Sequence, residues 1–340
     1  MSTELKLDLE ETLAAFSRET KNKPNSSDSI SESTAYSYRR NIRYFAEYLR
    51  QQRNKGILEA ETSDLRTYLT DCSAEGDKDK TIVTRRSAIS RFYAELPTLA
   101  EDGRIPIAPE DCPENPEDGY DGTWAIDSSH KANESAEAVS YLSPAEIKQL
   151  WTNAPSPTLR NRLMIRMMYQ TGVRSGELVQ FRVSNINRDD RIIKIPASIS
   201  KSGDFREVAY KPSLDSLLQR WIDGGYRDAV PRDSPFLFPT SKSDHITRGW
   251  FRGIVHEAAD KAGLNEDIYT DIDGKTITKV SPHILRHSFA INSLKENVLN
   301  VRELQELLGH SSLETTETYL EIASEDATDK YRESGGVPEA

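Results

Sequence analysis

The sequence predicts a mainly α-helical protein of two domains, the first all-helical and the second mixed α+β with a small β-hairpin sheet. Three observations carry this. Apolar residues recur at helical spacing through most of both halves. An acidic stretch broken by prolines, without a sustained period, separates the halves and reads as a linker. β-branched alternation flanks SISKSGD in the second half. A chain of 340 residues can bury two cores. The expected divisions are a helical domain over 1–98, a linker over 99–140, a second domain over 141–322 and an acidic tail over 323–340.

In the first domain, LDLEETLAAFSR (8–19) reads as a short amphipathic helix ended by the breaker KNKPNSSDS. A long helix is expected from Ser31 or Ser33 to about Gln52, with Tyr38, Ile42, Phe45 and Leu49 as its apolar stripe. Arg39, Arg40, Arg43 and Arg50 lie off that stripe. Helices near 62–75 and 80–96 follow, the latter joining Ile82, Ile89, Phe92 and Leu96 to basic Arg85, Arg86 and Arg91. These arginines are either a solvated face or a surface for a nucleic-acid backbone. In the linker, Trp124 is a candidate anchor and His130 reads as solvent-exposed.

The second domain opens on YLSPAEIKQLW. Ser143 is placed to cap a helix, Pro144 to occupy its first position and Glu146 to complete a capping box. NRLMIRMMYQTG reads as a buried helix stopped by Gly172, which puts Arg174 at a corner with Glu177 three residues on. RIIKIPASISKSGDFREVAY predicts a hairpin whose loop carries Lys201. PSLDSLLQRWIDGG and TRGWFRGIVHEAADKAGL are expected helices, with FLFP a short strand between them. NEDIYTDIDGKTITKV reads as an insertion or small hairpin. No internal repeat is apparent.

No apolar run approaches the roughly 20 residues that span a bilayer, and MSTELKLDLEET lacks the apolar core of a signal peptide. A soluble, cytoplasmic protein is expected. Cys72 and Cys112, the only cysteines, argue against a disulfide framework or a cysteine-ligated metal. The net charge of −11 argues at first against a polyanion partner. Its location weakens that argument. Eleven acids face only Arg104 and Lys131 between Glu101 and Glu137, and six face Lys330 and Arg332 between Glu321 and Glu339, leaving the remainder close to neutral. Acid excess with 27 arginines against 17 lysines suits a protein hydrated in concentrated salt, and a haloarchaeal source is expected.

The stretch from Ser281 to Leu320 gathers His283, Arg286, His287, His310 and Tyr319. His283 and Arg286, at i and i+3, share one helix face. His287 reads as a packing histidine. Gly309 is a helix-ending glycine and His310 follows it. A phosphodiester exchange needs bidentate cations for two non-bridging oxygens, an in-line nucleophile and a proton for the leaving oxygen. Arg174, Arg286, Tyr319, Lys201 and the histidines supply a group for each role. Each also has a plainer reading: Arg174 as a salt bridge to Glu177, His310 as a C-terminal cap, Tyr319 as core, Lys201 as solvated. The joint order is what favours the chemistry.

TGVRSGEL (171–178), HILRHSFA (283–290) and LLGHSSLETTETY (307–319) resemble the motif boxes of the tyrosine recombinases, the phage-integrase family. The resemblance covers about 140–322, and the N-terminal helices look like that family's core-binding domain. Tyr319 is followed by Leu-Glu where many members have Thr-His. The resemblance implies a site-specific DNA recombinase in which Tyr319 forms a 3′-phosphotyrosyl link. Arg174 and Arg286 would clamp the phosphate, and Lys201 would protonate the 5′ oxygen. His283 would handle the proton at the tyrosine, His310 would hydrogen-bond the phosphate, and Glu177 would orient the site. It implies double-stranded DNA as partner, with Arg39, Arg40, Arg43, Arg85, Arg86 and Arg91 as candidate contacts, and a homotetramer on two sites. No cofactor and no metal are implied, because the ester energy stays in the covalent intermediate. An integrase of a provirus or mobile element, with or without an accessory directionality factor, is the expected role. The alternatives are a dimer resolvase of the Xer type, a type IB topoisomerase and a catalytically dead DNA-binding regulator. The acidic tail reads as a partner-subunit contact gating Tyr319.

Overall fold

The chain forms two units, residues 1–134 and 135–340. The computed structural model describes residues 8–21, 30–77, 79–118, 140–230, 233–270, 276–309, 319–320 and 322–323. Trp124, His130, His310 and the tail beyond residue 323 lie outside them.

In the first unit, helices α1 (Leu9–Lys21), α2 (Glu32–Tyr48), α3 (Thr62–Ala74) and α4 (Asp79–Glu101) surround one core. Ser31 caps α2, its hydroxyl accepting from the Thr34 N–H at 3.2 Å. Ile42, Phe45 and Leu49 are fully buried, as are Phe16 of α1 and Ile89, Phe92 and Leu96 of α4. Each contributes about 1.5–3 kcal/mol by leaving water. Phe16 meets Phe92 edge to face, with ring centroids 5.8 Å apart. Beyond α2 the chain makes a π-helical turn, Leu49–Arg53, that ends on Asn54 at φ 54°. The helix therefore continues to Arg53, its hydrogen bonds widened by one residue so that the Asn54 N–H reaches the Leu49 carbonyl.

Three expectations need correction here. Helix α4 does not stop before Pro97 but runs through it to Glu101, because Leu99 and Ala100 are buried on the same face as Leu96. Residues 102–118, expected as linker, pack onto the first unit. Ile105 and Ile107 enter its core, Asn115 donates to the Ser90 carbonyl at 3.2 Å, and Glu117 pairs with Arg86 at 2.6 Å. Arg85, expected on a DNA-facing surface, is only 3% exposed. Its guanidinium donates to Tyr68 Oη at 2.8 Å and pairs with Asp77 at 2.7 Å, since a buried cation must be compensated.

The second unit begins with α5 (Pro144–Thr152), whose Ser143–Glu146 capping box forms as expected, Glu146 Oε2 accepting from the Ser143 N–H at 2.8 Å. Helix α6 (Thr158–Thr171) buries Leu163, Met164, Ile165, Met167 and Met168 and ends on Gly172 at φ 63°. The short α7 (Ser175–Leu178) follows. Strands β1 (Ile186–Asn187), β2 (Ile192–Ile195) and β3 (Arg206–Ala209) form an antiparallel sheet in that order, with Ile193 opposite Val208. Lys201 lies in the β2–β3 loop. FLFP is not a strand beyond one bridge from Phe236 to Arg182, and its Leu237 and Phe238 serve as core.

Helices α8 (Asp215–Ile222) and α9 (Arg248–Ala262) complete the main core, and β4 (Asp267–Thr270) pairs with β5 (Thr276–Thr278) as a hairpin. Helix α10 (Pro282–Lys295) packs its first turns on α6. Its later residues Ala290, Ile291 and Leu294 join Leu304 and Leu308 of α11 (Val301–Leu308), and Tyr319 and Ile322 close that cluster. Among the described residues, no helix is long and apolar enough to cross a membrane.

Candidate active site

Two helix C-termini converge on one arginine. Arg286, in the second turn of α10, is 4% exposed. Its Nη1 donates to the Gly172 carbonyl at the end of α6 at 2.7 Å, and its Nη2 to the Leu308 carbonyl at the end of α11 at 2.9 Å. Terminal carbonyls lack partners within their helices and carry the negative end of the helix dipole, so a cation satisfies both needs. Gly172 is required for this approach. At its positive φ, a Cβ would lie 2.9 Å from Leu308 Cδ2 and closer still to the Phe289 ring.

Arg174 caps α7 in extended conformation two residues later. Its N–H donates to Glu177 Oε2 at 2.8 Å, and its guanidinium reaches Glu177 Oε1 at 3.4 Å and the Gly309 carbonyl at 3.3 Å. Glu177 is 2% exposed and is held from its other side by Arg206 of β3, Nη2 to Oε2 at 2.7 Å. Burial alone would raise the Glu177 carboxyl. Arg206, by hydrogen bond and charge, and then the Arg174 N–H and charge outweigh it and hold the group below its ordinary value.

Positive charge is crowded here beyond what Glu177 balances. Burial, and then the charge of Arg174, push Arg286 down to about 9, so it stays a cation at neutral pH but gains from any added anion. His283 keeps an exposed edge at the N-terminus of α10. Enclosing protein, then Arg286, Arg174 and Lys201, hold its pKa below the usual histidine value. Lys201 itself is exposed.

One turn on, at i+4 from His283, lies His287, with ring centroids 6.3 Å apart. Its Nδ1 is 2.7 Å from Tyr319 Oη. Burial, then His283 and Arg286, push His287 down to about 4, so the imidazole is neutral near pH 7; in its Nε2-protonated tautomer Nδ1 accepts and the phenol donates. Tyr319 is 2% exposed. Burial raises its pKa against the opposing charges of Arg286 and Arg174.

The fold thus brings together Arg174, Glu177, Arg286 and Tyr319, with His283 and Lys201 within range of the same charges. His310 lies outside the described residues. Two residues at this site escaped the sequence reading. His287, read as packing, is the imidazole that touches the phenol; its i, i+4 spacing from His283 was the available signal. Arg206 carried no local signal, because its partners Glu177 and Leu307 come from other elements.

Comparison with known proteins agrees with this geometry. The pattern of the phage integrase family matches residues 140–326, and that of the phage integrase N-terminal SAM-like domain matches 25–98. Tyrosine recombinase XerD of Brucella suis is 30% identical over 305 residues, 86% of this chain and 88% of the relative. Tyrosine recombinase XerD of Rhizobium meliloti is 29% identical over 300 residues, 86% of each chain. The crystal structure of XerH site-specific recombinase bound to a difH substrate has the same fold, with TM-score 0.63, 18% identity and coverage of 95% of this chain and 94% of that one. Fold and site define a DNA breaking and rejoining enzyme. The chain belongs to the phage integrase family and is a site-specific DNA recombinase of the tyrosine class.

Proposed function

We propose that Arg174 and Arg286 clamp the non-bridging oxygens of a scissile DNA phosphate while Tyr319 attacks its phosphorus. The attack forms a 3′-phosphotyrosyl link and frees a 5′-hydroxyl, which later attacks the link of a partner strand. The observation that carries this reading is the pair of crowded guanidiniums beside a hydrogen-bonded phenol, a charge excess that a phosphate relieves. Lys201 protonates the departing 5′ oxygen from its exposed loop. His283, at the mouth of the site, and His310 donate to the phosphate, and an α10 imidazole takes the phenol proton. Glu177 orients Arg174. The number of phosphoester bonds is conserved at each step, so ATP does not enter the scheme, and Arg174 and Arg286 supply the positive charge at the phosphate.

The partner is double-stranded DNA, held by both domains, with a homotetramer assembled on two sites in the cytoplasm. That the XerH neighbour is bound to a DNA substrate supports the DNA partner in this reading. Arg39, Arg40, Arg43, Arg86 and Arg91 are the backbone contacts proposed for the first unit. Arg39 and Arg43 pair with Glu10, Arg86 with Glu117 and Arg91 with Glu95, so DNA must compete with these carboxylates. The biological role proposed is integration of a mobile element, directed by an accessory factor, with the acidic tail gating Tyr319 from a partner subunit. Resolution of chromosome or plasmid dimers is the second reading, favoured by the similarity to XerD relatives over 86% of the chain.

The test is covalent trapping on host genomic DNA, followed by cleavage of nicked duplexes of the mapped site. Wild-type protein should yield a protein–DNA adduct, and Tyr319→Phe none, with DNA binding nearly intact. An adduct surviving that change would refute the nucleophile assignment.

A further inference from the structure

The sequence reading gave the tyrosine-side proton to His283, yet the imidazole in contact with the phenol is another one. We propose that His287 is the catalytic group that accepts the Tyr319 proton on cleavage and returns it on rejoining. This rests on the reading of Tyr319 as the nucleophile. As the Tyr319 Oη–phosphorus bond forms, the phenol proton passes to His287 Nδ1. The phosphorus–O5′ bond breaks, and O5′ takes a proton from Lys201. Rejoining runs the same steps backwards, with the His287 proton returning to Oη.

Three features of the site support it. The 2.7 Å contact is a hydrogen bond of transfer length. The phenol is 2% exposed, so bulk water is a poor proton acceptor for it. Helix α10 also separates the roles by one turn: His283 keeps an exposed edge under the influence of Lys201, whereas His287 turns towards Tyr319, with ring centroids 5.5 Å apart. His287 rests in its neutral form, the form able to receive a proton. A phosphate bound between Arg174 and Arg286 adds negative charge beside the imidazolium as it forms.

The test uses the full-length protein in single-turnover cleavage of nicked duplexes whose 5′ bridging atom is oxygen or sulfur. A sulfur leaving group needs no acid, so it separates the two proton transfers. Removing Lys201 (Lys201→Ala) should slow cleavage of the oxygen substrate and be rescued by sulfur. His287→Ala should be slowed by about 10²–10⁴-fold on both substrates. His287→Gln can accept a hydrogen bond from the phenol but cannot carry its proton, and should remain as slow as His287→Ala. Both His287 variants should bind DNA like wild type. Both should also join a strand ending in a 3′-p-nitrophenyl phosphate, a reaction that needs the arginines but not Tyr319.

Cleavage by His287→Ala near the wild-type rate, recovery by His287→Gln, or rescue of His287→Ala by sulfur overturns the proposal. Loss of p-nitrophenyl joining would also overturn it, since His287 would then support the whole site. Failure of wild-type protein to form any adduct would instead defeat the nucleophile reading.

Discussion

Glu177 and Arg206, 29 residues apart, form a two-pronged ion pair, Nη1 to Oε1 at 3.0 Å and Nη2 to Oε2 at 2.7 Å. Arg206 Nε also donates to the Leu307 carbonyl at 3.2 Å. One side chain therefore ties the strand after the Lys201 loop to the carboxylate that orients Arg174 and to the end of α11.

Removing one partner strands the other as a buried charge. Glu177→Ala or Arg206→Ala should cost about 3–5 kcal/mol in urea unfolding, and the double variant should cost less than the sum. The pair also predicts a pH dependence. The folded pKa of Glu177 lies below the ordinary value of 4.5, so its contribution is complete above that value and is lost as the pH falls through the folded pKa. Wild-type stability should therefore fall more steeply on acidification than that of Glu177→Gln. Parallel curves below pH 4.5 would contradict this.

The arginines act through fork geometry as well as charge. Arg174→Lys and Arg286→Lys keep the cation but lose paired donors, and single-turnover cleavage should fall by about 10²–10³-fold. DNA affinity, set by many phosphate contacts, should change far less. A comparable loss in both quantities would place these residues in binding rather than in the chemistry.

Gly172 combines positive φ with the close approach of Phe289 and Leu308. Gly172→Ala should cost about 1–2 kcal/mol from backbone strain alone, and more from the collision. It should also lower cleavage, because the Gly172 carbonyl holds Arg286. Thermal unfolding and adduct yield on the same preparation would measure both.

The acidic, arginine-rich composition suits concentrated salt, and we propose that the protein needs it. The midpoint of thermal unfolding should rise steadily from low to molar KCl. Full stability at low salt would remove the case for a haloarchaeal source.

The parts of the molecule that were legible in sequence are those set by local rules. Ser143, Pro144 and Glu146 announce a helix start, Gly172 and Gly309 announce helix ends, and the alternation around Ile193 and Val208 announces the hairpin. Arg174, Arg286 and Tyr319 were legible as a set through their motifs, and the fold brings them to one place. What stayed hidden depended on which residue meets which across the fold. Arg85 looked like a surface cation because nothing local reveals Tyr68 and Asp77 beneath it. Residues 102–118 looked like linker because two isoleucines among acids and prolines make no periodic signal, yet both are buried. His287 looked like filler because its partner is 32 residues away.

The docking of two helix ends onto Arg286 has a consequence for folding. Neither the α6 carbonyl nor the α11 carbonyl can hold that guanidinium in place until both helices have reached their final positions. The placement of Arg286 is thus a product of completed folding, and a copy in which either helix is displaced loses one of the two carbonyls that aim its guanidinium.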